Sequence, residues 1–367
     1  MNGTETPIGE AVGLAVAARA ALDRGDLAAA RADARAAAAM LREHAGAGSA
    51  DVANVLVLQA DAERLLGELA AAEGSARAAA AIMSRWPAGQ QGELDRIRVQ
   101  AALALGMVLV ARGEYAAAGQ CLRAALDEAC RVLGPRDLDT AGVLNGLGLV
   151  GKYTGDFAAA AGYYARALEI VETTAGPGDV QAAALHHNLG GLAHARGQAA
   201  AGQRHARRAV QIRRAALGDD HPEVAADKGA YAAILQDLGR LQEAGQMLRE
   251  AQRTFTRAYG PGHLEVGIAR TSLGAVLHQA GRLDEAEREY RAGLAIRERR
   301  AGAGHPELAA TLVNLGSVLA QRGQAGQARR LYRRALRLLD GRVSQAHPTR
   351  RAAEQLLAAP GTSTAGR

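Results

Sequence analysis

The sequence predicts an all-α protein built of about eight antiparallel helix hairpins stacked in a row. Three observations carry that expectation. Of 367 residues, 88 are Ala, the strongest helix former, and only nine are Pro. Aromatic residues make up 3% of the chain, too few for a sheet protein, which draws on aromatic and β-branched side chains. A glycine also returns between helical patterns, at Gly25, Gly67, Gly113, Gly155, Gly197, Gly239, Gly281 and Gly323, in steps of 42 residues with one step of 46. The longer step contains a four-residue insertion within Ser84 to Gln91.

Each glycine is read as the end of a first helix, in a left-handed conformation that other residues adopt at a cost. Seven residues before it every copy has Ala or Gly: Ala18, Ala60, Gly106, Gly148, Gly190, Ala232, Gly274 and Gly316. Nine residues after it, five copies carry a large side chain: Leu122, Tyr164, Leu248, Tyr290 and Tyr332. Small positions let two helices approach, and the large ones fill the gap. Ala34, Ala76 and Ala206 replace the large residue, so those hairpins are expected to pack less well, and Gln59 leaves the register of the second copy open. Gly134-Pro135, Gly176-Pro177 and Gly260-Pro261 close second helices, while His221-Pro222-Glu223, His305-Pro306-Glu307 and His347-Pro348 open first helices, with Pro at the first helical position and Glu against the helix dipole. Residues 1–7 are expected to be disordered, 8–340 to form the repeats, 341–359 to form a capping helix carrying Leu356 and Leu357, and 360–367 to be a disordered tail.

The composition also sets limits. The longest apolar stretch, Ala101 to Ala111, is too short to span a bilayer, and the N-terminus lacks the basic and apolar runs of a secretory signal, so a cytoplasmic location without membrane contact is expected. Cys121 and Cys130 would lie about 13 Å apart on one helix at ~1.5 Å per residue, beyond a disulfide's reach. The charge is +6, and Lys152 and Lys228 are the only lysines among many arginines, which with the Ala and Gly excess reads as a GC-rich bacterial genome.

The small residue at a fixed offset, the Gly turn and the Ala-x3-Tyr-x2-Ala run resemble tetratricopeptide repeats. The 42-residue period and segments such as His305 to Leu339 are similar to the kinesin light chain subtype. The resemblance implies a right-handed superhelix whose concave wall is lined by first helices and holds a peptide or protein segment. On that basis the ligand-binding candidates are Asn145, Lys152, Tyr153, His187, Asn188, His194, Gln236, Asp237, Thr271, His278, Gln279, Asn314 and Gln321. In the family an Asn nine residues before the turn glycine commonly bonds a bound peptide, which Asn188 and Asn314 match and Asn145 misses by one. An amide offers donors and acceptors alike, so these groups serve either an extended backbone or a neighbouring helix. With no ligand bound, Asn188 and Asn314 are expected to point into solvent.

Other chemistry is weaker in the sequence. His187 and His194 are seven apart, about 10 Å along a helix axis, too far to chelate one metal without help from His278 or Asp237. No cofactor, phosphate-binding or nucleophile motif occurs, and no catalytic or metal residue is assigned. Arg204, Arg207, Arg208, Arg213 and Arg214 crowd one second helix, and Arg329, Arg330, Arg333, Arg334 and Arg337 another. They are read as solvated outer faces, since few aromatics are interleaved for base stacking and nucleic-acid binding is not expected. The function anticipated is a scaffold or adaptor that binds a peptide or protein segment in the concave groove. The alternative is an enzyme using the groove's Asn, His, Lys and Tyr side chains. Oligomeric state and ligand identity are not legible.

Overall fold

The computed structural model describes residues 6–87, 92–340 and 348–358. Residues 1–5, 88–91, 341–347 and 359–367 lie outside the described residues. With them go most of the expected terminal disorder, half of the loop insertion, and His347. Among the described residues there are seventeen α-helices and no strand.

The chain divides into two compact units. The first, to Gly218, holds five hairpins: α1 (Pro7–Asp23) with α2 (Leu27–Leu41), α3 (Ala50–Leu65) with α4 (Leu69–Met83), α5 (Gly92–Ala111) with α6 (Tyr115–Val132), α7 (Leu138–Thr154) with α8 (Phe157–Thr174), and α9 (Val180–Ala195) with α10 (Ala199–Leu217). The second, from Asp219, holds α11 (Pro222–Asp237) with α12 (Leu241–Tyr259), α13 (Leu264–Gln279) with α14 (Leu283–Ala301), α15 (Leu308–Gln321) with α16 (Ala325–Leu339), and the single helix α17 (Pro348–Ala358). Within each unit a second helix packs on the first helix of the next hairpin, and successive first helices also touch. Helix α17 lies against α16 and α15, and Arg329 donates to the carbonyl of Leu357 (3.0 Å) near its C-terminus.

Every hairpin turns on its glycine. All eight have positive φ, from 69° at Gly197 to 87° at Gly155. In seven of them the residue after the glycine donates its N–H to the carbonyl five positions back, as Asp26 to Ala21 (2.9 Å) and Arg240 to Leu235 (2.9 Å), closing the helix end. The next helix then starts at once: Asp26 and Asp156 accept from Ala29 and Ala159 (3.1 Å each) as N-caps. Between hairpins a second set of glycines, Gly46, Gly134, Gly176, Gly218, Gly260 and Gly302, also has positive φ. His221 caps α11 through Nδ1, which accepts from Glu223 (3.2 Å), and His263 does the same for Glu265 (3.3 Å) without a proline to announce it. His305 accepts from Glu307 (3.4 Å), but Pro306 and Glu307 stay in the turn and α15 starts at Leu308. At the other end, α1 begins at Pro7, capped by Thr6.

In four hairpins the core is a large side chain seated over a glycine of the first helix, with no side chain beneath it. A Cβ on Gly274 would lie 3.0 Å from the Tyr290 ring, and one on Gly148 or Gly316 would overlap Tyr164 or Tyr332. Leu122 sits the same way on Gly106. These rings and Leu122 are almost wholly buried. The expectation of poorer packing where Ala replaces the large residue is not met, because the helices close in. Ala34 and Ala76 are fully buried, and a Cβ on Gly190 would meet the backbone of Ala206 at 3.2 Å. Cys121 and Cys130 are free and only partly buried. Burial pushes the Cys121 thiol up, and it donates to the carbonyl of Ala102 (3.4 Å).

The glycine seats should therefore be intolerant of a single methyl group. Gly148→Ala is expected to lower unfolding free energy by about 1–3 kcal/mol, the cost of overpacking, in a denaturant titration followed by circular dichroism. Gly162→Ala, at an exposed site of α8 with open space around it, should be neutral or stabilising by up to about 1 kcal/mol. Equal effects at the two sites would show that the seat is not a constraint.

Candidate functional site

Because successive first helices touch, side chains at equivalent repeat positions can meet across them. In the first unit Asn188 of α9 donates to Asn145 of α7 (2.7 Å). Further along α7, Lys152 lies half-buried against α9, where Gly191 leaves room for it: a Cβ there would be 2.8 Å from Nζ. Six residues before the turn, this is the one glycine among eight copies. Burial lowers the Lys152 pKa, and no carboxylate pairs with it among the described residues. Lys228 shows the opposite arrangement, buried between Asp219 and Glu250 at 3.0 Å each. Beside Lys152, Tyr153 is 54% exposed and stacks on Tyr115 at 5.2 Å between ring centres. The buried hydroxyl of Tyr164 has no hydrogen-bond partner among the described residues. His187 and His194 are half-buried on α9.

The second unit repeats the pattern with other side chains. Gln236 of α11 donates to Gln279 of α13 (3.0 Å), and Gln321 of α15 meets His278 of α13 (3.0 Å). Asn314 is exposed beside Tyr290. Gln236, His278, Gln279, Asn314 and Gln321 line one open recess of about 410 Å³ with Ala275 and Tyr290. Asp237 is exposed at the end of α11. Thr271 is not on this surface: it is buried, its hydroxyl donates to the carbonyl of Ile268 (2.9 Å), and its methyl fills the space left by Gly293 of α14. These three side-chain contacts join residues 43 apart, while between α5 and α7 Gln100 reaches Asp139 at a separation of 39. Asn314 is exposed as expected, whereas Asn188 is half-buried and does not simply point into solvent. The neighbouring Asn145 takes one of its amide's several bonds.

His186 finds a partner ring in the next helix: its Nδ1 lies 2.9 Å from Nδ1 of His205 across α9 and α10. Glu172 of α8 is 3.8 Å from the other nitrogen. Burial first, then the neighbouring His205 and Arg208, hold the His186 pKa at about 4, and burial with Arg204 lowers that of His205. Among the described residues no three His, Cys, Asp or Glu side chains come together as a metal would need. The unfolded chain has histidine pKa values of about 6.5, so between there and about pH 4 it binds protons that the folded chain refuses. Stability from this pair is therefore complete above the unfolded value and lost as pH falls. Melting temperature should drop between neutral pH and pH ~4.5, and His186→Gln should flatten part of that slope. Identical slopes in the two proteins would show that the pair does not titrate in this way.

On the outer faces, Arg208 donates to the carbonyl of Pro177 (3.0 Å), and Arg334 bridges the carbonyl of Ala303 (3.1 Å) and Glu298 (2.6 Å). Arg207, Arg330, Arg333 and Arg337 are exposed. No helix among the described residues is long and apolar enough to cross a membrane.

Known proteins of this architecture show the same hairpins. A Rap protein matches over 96% of this chain and 97% of its own, with a TM-score of 0.60 and 13% identity. BtubC from P. vanneervenii, also called BKLC, matches over 62% of this chain and 93% of its own, with a TM-score of 0.51 and 22% identity. A signal-transduction ATPase with a tetratricopeptide repeat sensor from Pyrococcus horikoshii matches over 91% of this chain and 50% of its own, with a TM-score of 0.57 and 14% identity. No curated protein matches by sequence. Two sequence profiles described as tetratricopeptide repeat do match, one at residues 98–173, 227–299 and 268–340, the other at 183–223. The first alone spans more than half the chain, which therefore belongs to the tetratricopeptide repeat family.

Proposed function

We propose that the protein is a scaffold or adaptor that binds a peptide or protein segment along the accessible faces of its first helices. One observation carries this reading. Amide and imidazole side chains recur on those faces and meet at a constant separation of 43 residues, yet remain open to solvent. Each bonded amide keeps unused N–H and C=O valences, the complement of an extended backbone. Lys152, without an acid of its own, offers a point for a carboxylate, and Tyr153 offers an exposed ring next to it. The Rap protein of like fold was solved complexed with competence and sporulation factor, which supports a binding role. Tetratricopeptide repeats are typically scaffolds, which favours binding over catalysis.

The test begins with labelled full-length protein on an array of short random peptides, followed by fluorescence anisotropy on the best binder. Removing Asn145 and Asn188 together eliminates both ends of one hydrogen bond, so no buried group is left unpaired and the fold should persist. The double alanine variant should bind about 1–3 kcal/mol more weakly, at ~0.5–1.5 kcal/mol per lost bond to the ligand. Lys152→Met should abolish any preference for acidic peptides, and Arg333→Glu with Arg334→Glu should leave the affinity unchanged. An effect of the arginine reversal without one from the asparagines would place function on the outer face instead.

A further inference from the structure

The same repeat positions carry a different chemistry in the first two hairpins. Where α7 has Asn145 and α9 has Asn188, ten and nine residues before their turns, α1 has Ala15 and Val16. Ile8, Val12 and Val16 recur every fourth residue on α1, which puts them along one helix face. They are 43%, 51% and 65% exposed. Together with Leu65 of α3 they make up four of the seven exposed large hydrophobic residues described in the chain.

These valines are not scattered surface residues. Val12 and Val16 form one wall of a pocket of about 480 Å³ whose other walls come from α3 and the end of α2, with Leu41, Val55 and Leu58 at its floor. Its rim is acidic. Asp23, Asp51 and Glu93 stand there with Arg19, three carboxylates to one guanidinium. None of the four makes an ion pair among the described residues. Asp51 and Glu93 sit in the first turns of α3 and α5, where the helix dipole supports their charge.

We propose that this pocket docks a basic amphipathic helix of a partner protein, one that places an apolar side chain between α1 and α3 and Lys or Arg against Asp23, Asp51 and Glu93. The stripe on α1, at every fourth residue, is the kind of ridge beside which another helix packs. The apolar anchor supplies affinity, and the acidic rim sets the sign of the partner's charge. This site is separate from the polar row on α7 and α9, and neither depends on the other.

The probe is a labelled 18-residue peptide of leucine and lysine with the leucines on one helical face, compared with its leucine and glutamate counterpart. Anisotropy is read on the full-length chain. The lysine peptide should bind at least about tenfold more tightly than the glutamate one, a difference expected of charge complementarity at a desolvated rim. Val12→Asn with Val16→Asn should weaken the lysine peptide by about tenfold or more. Both positions are exposed, so circular dichroism should be unchanged. Asp51→Asn with Glu93→Gln should weaken it several-fold and flatten its salt dependence. The Asn145→Ala, Asn188→Ala variant should bind it as the parent does, which separates failure here from failure of the polar-row reading. Equal binding of the two peptides, or no effect of the valine pair, would overturn the proposal. So would light scattering that shows a dimer dissociated by Val16→Asn, since a second copy would then be the occupant.

Discussion

The arrangement depends on one contact, between a fixed position of the second helix and a small residue of the first, and in four hairpins a large side chain lies there on a glycine. Tyr164 on Gly148, Tyr290 on Gly274, Tyr332 on Gly316 and Leu122 on Gly106 are four copies of it. The ring cannot sink lower and the glycine cannot accept a Cβ, so the spacing of the two helices is set by atoms that have no slack. In the α9 and α10 hairpin both sides of the contact are small, and the backbones themselves meet. The turn glycines close the loop between the paired helices, and their positive φ ends the first helix where the second must start.

The surface chemistry follows from that geometry. Within each unit, a fixed hairpin, repeated, makes a first helix lie beside the next, so that polar side chains 43 apart reach one another. The same rows then differ by what the copies carry. On α7 and α9 they hold amides and an unpaired amine. On α1 and α3 they hold valines and leucines below an acidic rim. A scaffold of this kind varies what it recognises by changing a few side chains per repeat while the packing contact stays constant.

Much of this was legible from the residues. The eight turn glycines and the small and large partners across the hairpin follow from the spacing alone, because a close helix contact demands small residues at fixed positions. The inner rows were legible as positions but not as contacts. Asn188 was expected to face solvent, yet an amide one repeat away offers a better partner than water at that separation. Thr271 shares the repeat position of Asn145, ten residues before its turn, but Gly293 of α14 leaves a space that its methyl fills, which puts it in the α13 and α14 interface. The pairing of His186 with His205 depends on how α9 lies across α10, which no periodicity within one helix reports.

The central claim is that the first helices, and not the arginine-rich second helices, form the recognition surface. Hydrogen–deuterium exchange on the full chain, with and without the best-binding array peptide, tests it most directly. On binding, added protection should be confined to first helices, in the first unit chiefly at α7 and α9 around Asn145, Lys152 and Asn188. Protection centred on the exposed faces of α8, α10 or α16, with the first helices unchanged, would contradict the account.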